Sequence, residues 1–554
     1  MPSPVSSEDL KAIAAAVFAD GTLRLDELET RWPPRDLPAG AMVTRVGPSP
    51  TGFMHVGTLY AGLICERFAH QSGGACFIRL EDTDRKREVE GAADLIFGGF
   101  DHFGVRFDEH ARVGGAYGPY VQSERAFAYH AAVRHLLELG LAYPCFATAE
   151  ELDAMRALQQ AQGARPGYYG KWAKWRDRPV AEVMAELKAG TPFVVRFRSP
   201  GDIERKTTVD DLIYGERTVA ENDQDIVILK SDGLPTYHMA HVVDDHFMRT
   251  THVIRGDEWL PSLPTHLQLF EAMGWTPPAF AHIAPINKLD GNSKRKLSKR
   301  KDPEATVSYF IDLGYPPEAV IEYLLNLANS NFEDWRRDNP TADYRDFAFS
   351  MEKLKNSNGP LFDFVKLDNI SRDVVARLST EALREQVIAW ARTFDPEFAA
   401  RLEAEPDYSL RFLGIEREGP KVRKDIAKWA DVRAEVDFFF DAVFDQTQLS
   451  LEAVSDRLTA DDVRAIVQAF MASYDPADSS EVWFDKIKVV ARDNGFAEKA
   501  GDYKRDPEAF KGTVADVAKV FRVLLAGRPQ TPDLYSIMQA MGRDRVFARL
   551  SRAL

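Results

Sequence analysis

The sequence predicts an α/β protein: a Rossmann-like, doubly wound parallel sheet split by an insertion and followed by an all-α C-terminal region. Three observations carry that prediction. Residues 41–82 read as strand, loop, helix and strand; the alternation resumes near residue 225 after a stretch of different character; beyond residue 300 helical patterns dominate.

In order, "AMVTRV" (41–46) is strand-forming and "GPSPTGFMHVG" is a Gly/Pro loop. "TLYAGLICERFAHQSG" sets apolar residues at 59, 63, 64 and 68, the period of one helix face, and "CFIRLED" (76–82) reads as a second strand. Together they make a parallel βαβ unit. "DIVILK" (225–230), a helix over "PTYHMAHVVDDHF", the strand "THVIRG" (251–256) and a helix through "PTHLQLFEAMG" repeat the alternation. Residues 121–235, with "GYYGKWAKWRD" and the strand-like "FVVRFRS", read as the insertion. An apparent hairpin at "AHIAPINKLDG" precedes helices such as "PPEAVIEYLLNLANSN", and the C-terminal region reads as one or two helical bundles. Upstream, Ser6 and Asp9 have the spacing of a capping box, and "RWPPRDLPAG" reads as a linker.

At 554 residues the chain is too long for one core, so roughly three to five domains are expected. Hydrophobic residues at 45% argue against global disorder. The 70 basic and 85 acidic residues give a formal charge of −15, which does not exclude a nucleic-acid partner, because binding follows local charge. Cys65, Cys76 and Cys145 form no CxxC pair and suit a reducing compartment. No apolar run approaches the ~20 residues that span a bilayer, so a cytoplasmic protein without a membrane partner is expected.

Three motifs carry chemistry. "SPTGFMHVGT" lies between a strand end and a helix start, where unpaired amides favour anions and Gly52 and Gly57 admit close approach beside His55; such loops also serve merely to turn the chain. "RLEDTDR" (79–85) puts Arg79 and Glu81 on one strand face, as a site or as solvated charge. "KRKLSKRK" (294–301) gathers six basic residues in eight, open to reading as a localisation tag, a solvated face or a phosphate-binding loop.

In this order, "RVGPSPTGFMHVGT", "RLEDTDR", "TYHMAHVVDDH", "VIRGDEWL" and "KLSKRKDP" resemble the class I aminoacyl-tRNA synthetases, and among them the bacterial glutamyl-tRNA synthetase family. The resemblance is specific over about 41–335 and looser beyond, where "PDLYSIMQAMGRDRVFARL" is similar to the family's closing helices. It implies activation of L-glutamate by ATP, with Mg²⁺, and transfer to the terminal adenosine of tRNA(Glu) by a monomer. By the same resemblance His55, Lys296 and Lys299 are catalytic, and Gly57, Thr58 and Ser298 join them at ATP. Arg45, Ser49, Glu81, Tyr237, His241 and Arg255 fall at glutamate-binding positions, with Trp259 nearby. The implied organisation is an N-terminal extension (1–40), catalytic halves (41–120 and 236–290) around an acceptor-binding insertion (121–235), a stem-contact region with the KLSKR loop (291–372) and a helical anticodon-binding region (373–554). An Arg–carboxylate pair favours glutamate over neutral glutamine by roughly ten- to a hundredfold. The alternatives are a form that also charges tRNA(Gln), a truncated tRNA-modifying type, a non-catalytic tRNA-binding homologue and an adenylate-forming ligase for another acid.

Two departures stand out. His241 occupies a position where many relatives carry Asn, and reads as a ligand or as a satisfied structural histidine. Cys145 lies where several relatives have Cys-x-Cys and bind zinc, but Phe146 and Ala147 follow it, so no metal site is expected and Cys145 reads as a buried thiol. Lys294, Arg295 and Lys301 read as flanking charge that touches RNA or water. "GPKVRKDIAKW" (419–429) and "WFDKIKVVARDNGF" (483–496) interleave basic and aromatic residues as an RNA face or as ordinary solvated helix, and "VDFFFDAVF" (436–444) reads as core.

Overall fold

A computed structural model describes residues 5–18, 21–84, 89–355, 359–419, 422–449 and 458–554. Arg85 of the second motif, and Pro420 and Lys421 of the first basic–aromatic segment, lie outside the described residues. The chain divides into two units, Met1–Tyr309 with Ile321–Asp363, and Phe310–Val320 with Phe364–Leu554.

In the first unit, α1 (Ser7–Val17) opens on the Ser6/Asp9 capping box, and α2 (Leu25–Arg31) follows. Strand β1 (Val43–Val46) is buried throughout, as a strand covered on both faces must be. Helix α3 (Val56–Gln71) carries the chain to β2 (Ala75–Ile78), which pairs in parallel with β1. Helices α4 (Ala92–His102) and α5 (Ala126–Glu138) lead into the insertion, whose β3 (Ala142–Cys145), β4 (Val194–Phe197) and β7 (Val227–Leu229) form an antiparallel sheet. Within it lie α6 (Ala149–Ala161) and α7 (Val180–Ala189), and β5 (Lys206–Val209) and β6 (Arg217–Ala220) make a separate hairpin. After α8 (Tyr237–Phe247), β8 (His252–Gly256) pairs in parallel with β9 (Ala279–Ile283). The β8 entry lies against β1, where Thr251 N–H donates to the Val43 carbonyl at 3.0 Å.

Three expectations are corrected. "DIVILK" is a strand, but it pairs with β4 of the insertion, not with the parallel strands. The strand predicted over 76–82 ends at Ile78, because beyond it Leu80 bridges to Val121 and Arg79 and Glu81 turn into the site. The hairpin is not at 281–291: β10 (Asn287–Asp290) turns at Gly291-Asn292 into β11 (Ser293–Lys296), so the basic stretch begins as its second strand.

The second unit is helical, from Phe364–Arg377 through Leu534–Leu550, around one continuous apolar core. Phe438, Phe439, Phe440 and Phe444 are buried there, as expected. In the helix Ser480–Asp493, Trp483 also packs into the core; the exposed aromatic is Phe484, with the Lys488 ammonium 4.8 Å from its ring centroid. Cys145 is buried in the first unit, its thiol 3.4 Å from the Tyr168 hydroxyl.

Candidate active site

A cleft of about 1360 Å³ opens at the carboxyl ends of β1 and β8, where parallel sheets place ligands. One end of it is the start of α3. His55 is the N-cap: its Nδ1 accepts from Gly57 N–H at 2.8 Å, which leaves the ring proton on Nε2. A Cβ at Gly57 would lie 2.9 Å from that nitrogen, so only glycine fits the cap. Burial, then the Lys299 ammonium, push His55 below its usual value, so it is a neutral donor at pH 7. Thr58 lines the cleft on the first turn, and the first turn of α3 holds no acidic side chain to compete for an anion.

The basic loop faces this helix end. Buried Leu297 anchors it, Lys299 Nζ donates to the Phe53 carbonyl, and Lys296 Nζ lies 2.9 Å from Glu258. Both lysines line the cleft; Ser298 does not, and its N–H is instead taken by Asp302 at 2.9 Å. Arg295 grips the same carboxylate with two bonds, at 2.6 and 2.8 Å, so this flanking charge is a loop clamp. Lys294 Nζ reaches the Gly359 carbonyl at 3.3 Å.

The other end of the cleft is built on buried charge. Asp245 on α8 binds Arg45 Nε at 3.2 Å and Arg79 Nη1 at 2.7 Å; burial opposes its ionisation, but the two guanidiniums win and hold it well below the usual carboxylate range. Its neighbour Asp244 takes Arg125 at 2.6 Å, Gln122 at 2.9 Å and Tyr129 at 2.8 Å. Arg79 spans both aspartates and binds Glu81 at 3.1 Å. The Glu81 carboxylate lies so close over Gly47 that a Cβ there would sit 2.2 Å from Oε1. Arg45, Glu81, Tyr237 and Arg255 line the cleft, as does Ser49 on its rim.

Arg255 is the unusual member. It is buried, yet its partners are neutral: His282 Nε2 at 2.9 Å, Tyr237 hydroxyl at 3.2 Å, His266 Nδ1 at 3.3 Å and the Trp259 carbonyl at 3.5 Å. Among the described residues it has no carboxylate within ion-pair distance, and burial lowers its basicity. A guanidinium so placed at a cleft wall is a seat for an anion.

His241 lies behind the cleft and does not line it. Its Nδ1 is 2.9 Å from Asp245 and its Nε2 is 3.4 Å from Arg255 Nη1. A neutral ring with the proton on Nδ1 donates to Asp245 and accepts from Arg255 on Nε2, while Arg45 Nη2 lies 3.1 Å from the same Nδ1. Burial drives its pKa down to about 3. It contacts Arg45, Arg255 and Asp245 from behind the cleft. His266, His282 and Asp211 are supports that sequence reasoning missed, since no spacing connects them to the motifs. Asp244 and Asp245 were legible, at seven and eight residues after Tyr237 on the same helix face. Among the described residues no group of three or more His, Cys, Asp or Glu side chains is placed to hold a metal.

Parallel strands with a histidine-capped helix start, a lysine loop across from it and paired arginines at the other end of the cleft are the arrangement of a class I synthetase. The chain belongs to that family: residues 41–336 match the catalytic domain of class I tRNA synthetases (E and Q), and residues 508–554 match an anticodon binding domain. A glutamate–tRNA ligase of Clostridium perfringens (strain SM101 / Type A) is 48% identical over 528 residues, covering 95% of this chain and 96% of the relative. One of Sorangium cellulosum (strain So ce56) is 45% identical over 561 residues, covering 96% and 98%. Among solved structures, a glutamate tRNA ligase from Elizabethkingia meningosepticum in complex with its amino acid superposes with a TM-score of 0.75 at 29% identity, covering 92% of this chain and 99% of that one. Among the described residues no helix is long and apolar enough to cross a membrane.

Proposed function

We propose that this chain is a glutamate–tRNA ligase that activates L-glutamate with ATP and transfers it to the terminal ribose of tRNA(Glu). The observation that carries the reading is Arg255, a buried guanidinium at the cleft wall with only neutral partners, beside Arg45 and across from Glu81. The two arginines take the substrate's carboxylates, with the side-chain carboxylate at Arg45, and Glu81 takes the ammonium. Ser49 and Tyr237 complete the contact. At Arg45 a glutamine side chain would forgo a charge-assisted pair, worth about 1.5–3 kcal/mol.

ATP enters as its Mg²⁺ complex, a substrate and not a resident metal, whose cation offsets phosphate charge. The α3 amides and the Nε2–H of His55 hold phosphate oxygens, with Gly57 and Thr58 at the same turn. The α-carboxylate oxygen of glutamate attacks the α-phosphorus, the bond to the bridging oxygen breaks, and pyrophosphate leaves with the electron pair. Lys299 and Lys296 meet the charge that builds on that leaving group. Ser298 acts indirectly, through its N–H to Asp302. The ribose hydroxyl of tRNA then attacks the adenylate carbonyl and AMP leaves. The insertion receives the acceptor end, and the helical unit reads the anticodon.

The test is aminoacylation of purified tRNA(Glu) and tRNA(Gln) with radiolabelled glutamate. Charging of tRNA(Glu) is expected. Charging of neither overturns the reading, and charging of both establishes the non-discriminating form.

A further inference from the structure

The family model begins at residue 41, so the preceding segment lies outside what it describes. That segment is nonetheless built into the catalytic unit. Trp32, 1% exposed, packs on Phe247 of α8 at 5.5 Å between ring centroids and on Phe127 of α5 at 5.8 Å. Glu29 binds His246 at 2.6 Å and Arg249 at 2.6 Å, at the carboxyl end of α8. Arg35 donates to the Met248 carbonyl at 3.1 Å and grips Glu109 at 2.8 and 2.9 Å. Residues 29–35 therefore clasp the end of the helix that carries Asp244 and Asp245.

A second contact reaches further in. The Trp32 indole covers the guanidinium of Arg125, whose carbon lies 4.6 Å from the ring centroid. Arg125 is fully buried; its Nε binds Asp244, its Nη1 binds the Tyr117 and Pro119 carbonyls, and its Nη2 makes no hydrogen bond. A desolvated cation with an orphaned N–H edge is costly unless something polarisable faces it, and an aromatic face supplies that attraction. Asp244 then sits between Arg125 and Arg79, and Arg79 holds Glu81.

We infer that Trp32 is a positioning residue for amino-acid binding, through the sequence Trp32–Arg125–Asp244–Arg79–Glu81. The inference rests on the reading of Glu81 as the seat of the substrate ammonium. Loss of the aromatic face lets Arg125 shift toward other acceptors, Asp244 loses its strongest partner, and Arg79 is pulled away from Glu81. ATP contacts lie on α3 and the lysine loop, outside this sequence, so the two substrates respond differently.

The test uses the full chain and compares Trp32→Phe, which keeps an aromatic face, with Trp32→Leu, which fills space without one. Glutamate-dependent ATP–pyrophosphate exchange is measured with tRNA present, and KM is determined for each substrate. Trp32→Leu is expected to raise the glutamate KM about five- to tenfold with the ATP KM within about twofold, and Trp32→Phe to restore both to within about twofold of wild type. If Trp32→Leu does not fold, Trp32→Met repeats the comparison. Equal glutamate KM values in the aromatic and aliphatic variants, or a loss of kcat alone in both, overturn the inference. A wild-type chain with no glutamate-dependent exchange overturns the functional reading and this inference with it.

Discussion

The Nε–H of Arg255 donates to Nε2 of His282 at 2.9 Å, and the opposite nitrogen of that ring is 2.6 Å from Asp211. Asp211 follows β5 in the insertion and also accepts the N–H groups of Ile213 and Tyr214. An ionised Asp211 fixes the imidazole proton on Nδ1, so that Nε2 is free to accept. Arg255 is thus oriented, through His282, by a residue of the insertion.

Asp211→Asn tests that relay. An amide donor facing Nδ1 moves the ring proton to Nε2, where it opposes the Arg255 N–H. A buried donor left unsatisfied costs about 1–3 kcal/mol, so the glutamate KM is expected to rise roughly ten- to a hundredfold with the ATP KM little changed. An unchanged glutamate KM refutes the orienting role.

His241 makes a pH prediction. Burial holds its folded-state pKa near 3, against a usual value of 6.5. Below pH 6.5 the unfolded chain takes up a proton that the folded chain refuses, so stability present at neutral pH is lost as the pH falls from about 6.5 toward 3. The slope approaches about 1.4 kcal/mol per pH unit for this one group. The unfolding midpoint of the wild type should drop between pH 7 and pH 5, and His241→Asn should flatten that drop. Equal slopes in the two proteins contradict a neutral, buried His241.

Much of this site is legible in the sequence, because strand–loop–helix order alone puts "HVGT" at the end of a parallel strand. The sequence also carries the hairpin that holds the basic stretch: Asp290-Gly291-Asn292 is hairpin chemistry, with Gly291 at φ +61°, and it places the turn after Asp290. Ser298 matches a family position and His241 departs from one, yet neither fact says which way a side chain turns; Asp302 holds the Ser298 N–H and Asp245 lies 2.9 Å from His241. Asp211, His266 and His282 come from three separate elements, and only the folded sheet brings them to Arg255.

Lys299→Ala separates the chemical step from tRNA binding. The Lys299 ammonium reaches across 246 residues of sequence to the Phe53 carbonyl, two residues before the N-cap His55. Partial burial lowers its basicity. Removing one preorganised charge from a leaving group costs roughly a hundred- to a thousandfold in kcat, so pyrophosphate exchange should fall by that order. The tRNA dissociation constant should stay within about twofold. Equal losses in exchange and in tRNA affinity contradict the assignment.

Gly47→Ala probes the role proposed for Glu81 without touching a charged residue. The added methyl carbon would sit 2.2 Å from Glu81 Oε1 and 2.7 Å from its carboxyl carbon, so the carboxylate must move. Glu81 is nearly buried and bound to Arg79 at 3.1 Å, and any shift large enough to relieve the overlap stretches that pair. Overpacking of this kind costs about 1–3 kcal/mol, which thermal unfolding reads as a modest loss of stability. The sharper readout is kinetic: the glutamate KM should rise more than about tenfold, the loss expected when a charge-assisted contact worth ~1.5–3 kcal/mol is misaligned. The ATP KM should hold, since Gly47 lies on the amino-acid side of the cleft. Glu81→Gln should reproduce the KM effect without the overpacking. A Gly47→Ala protein with the wild-type glutamate KM would mean that Glu81 can leave its place freely, and the role given to Glu81 would have to be abandoned.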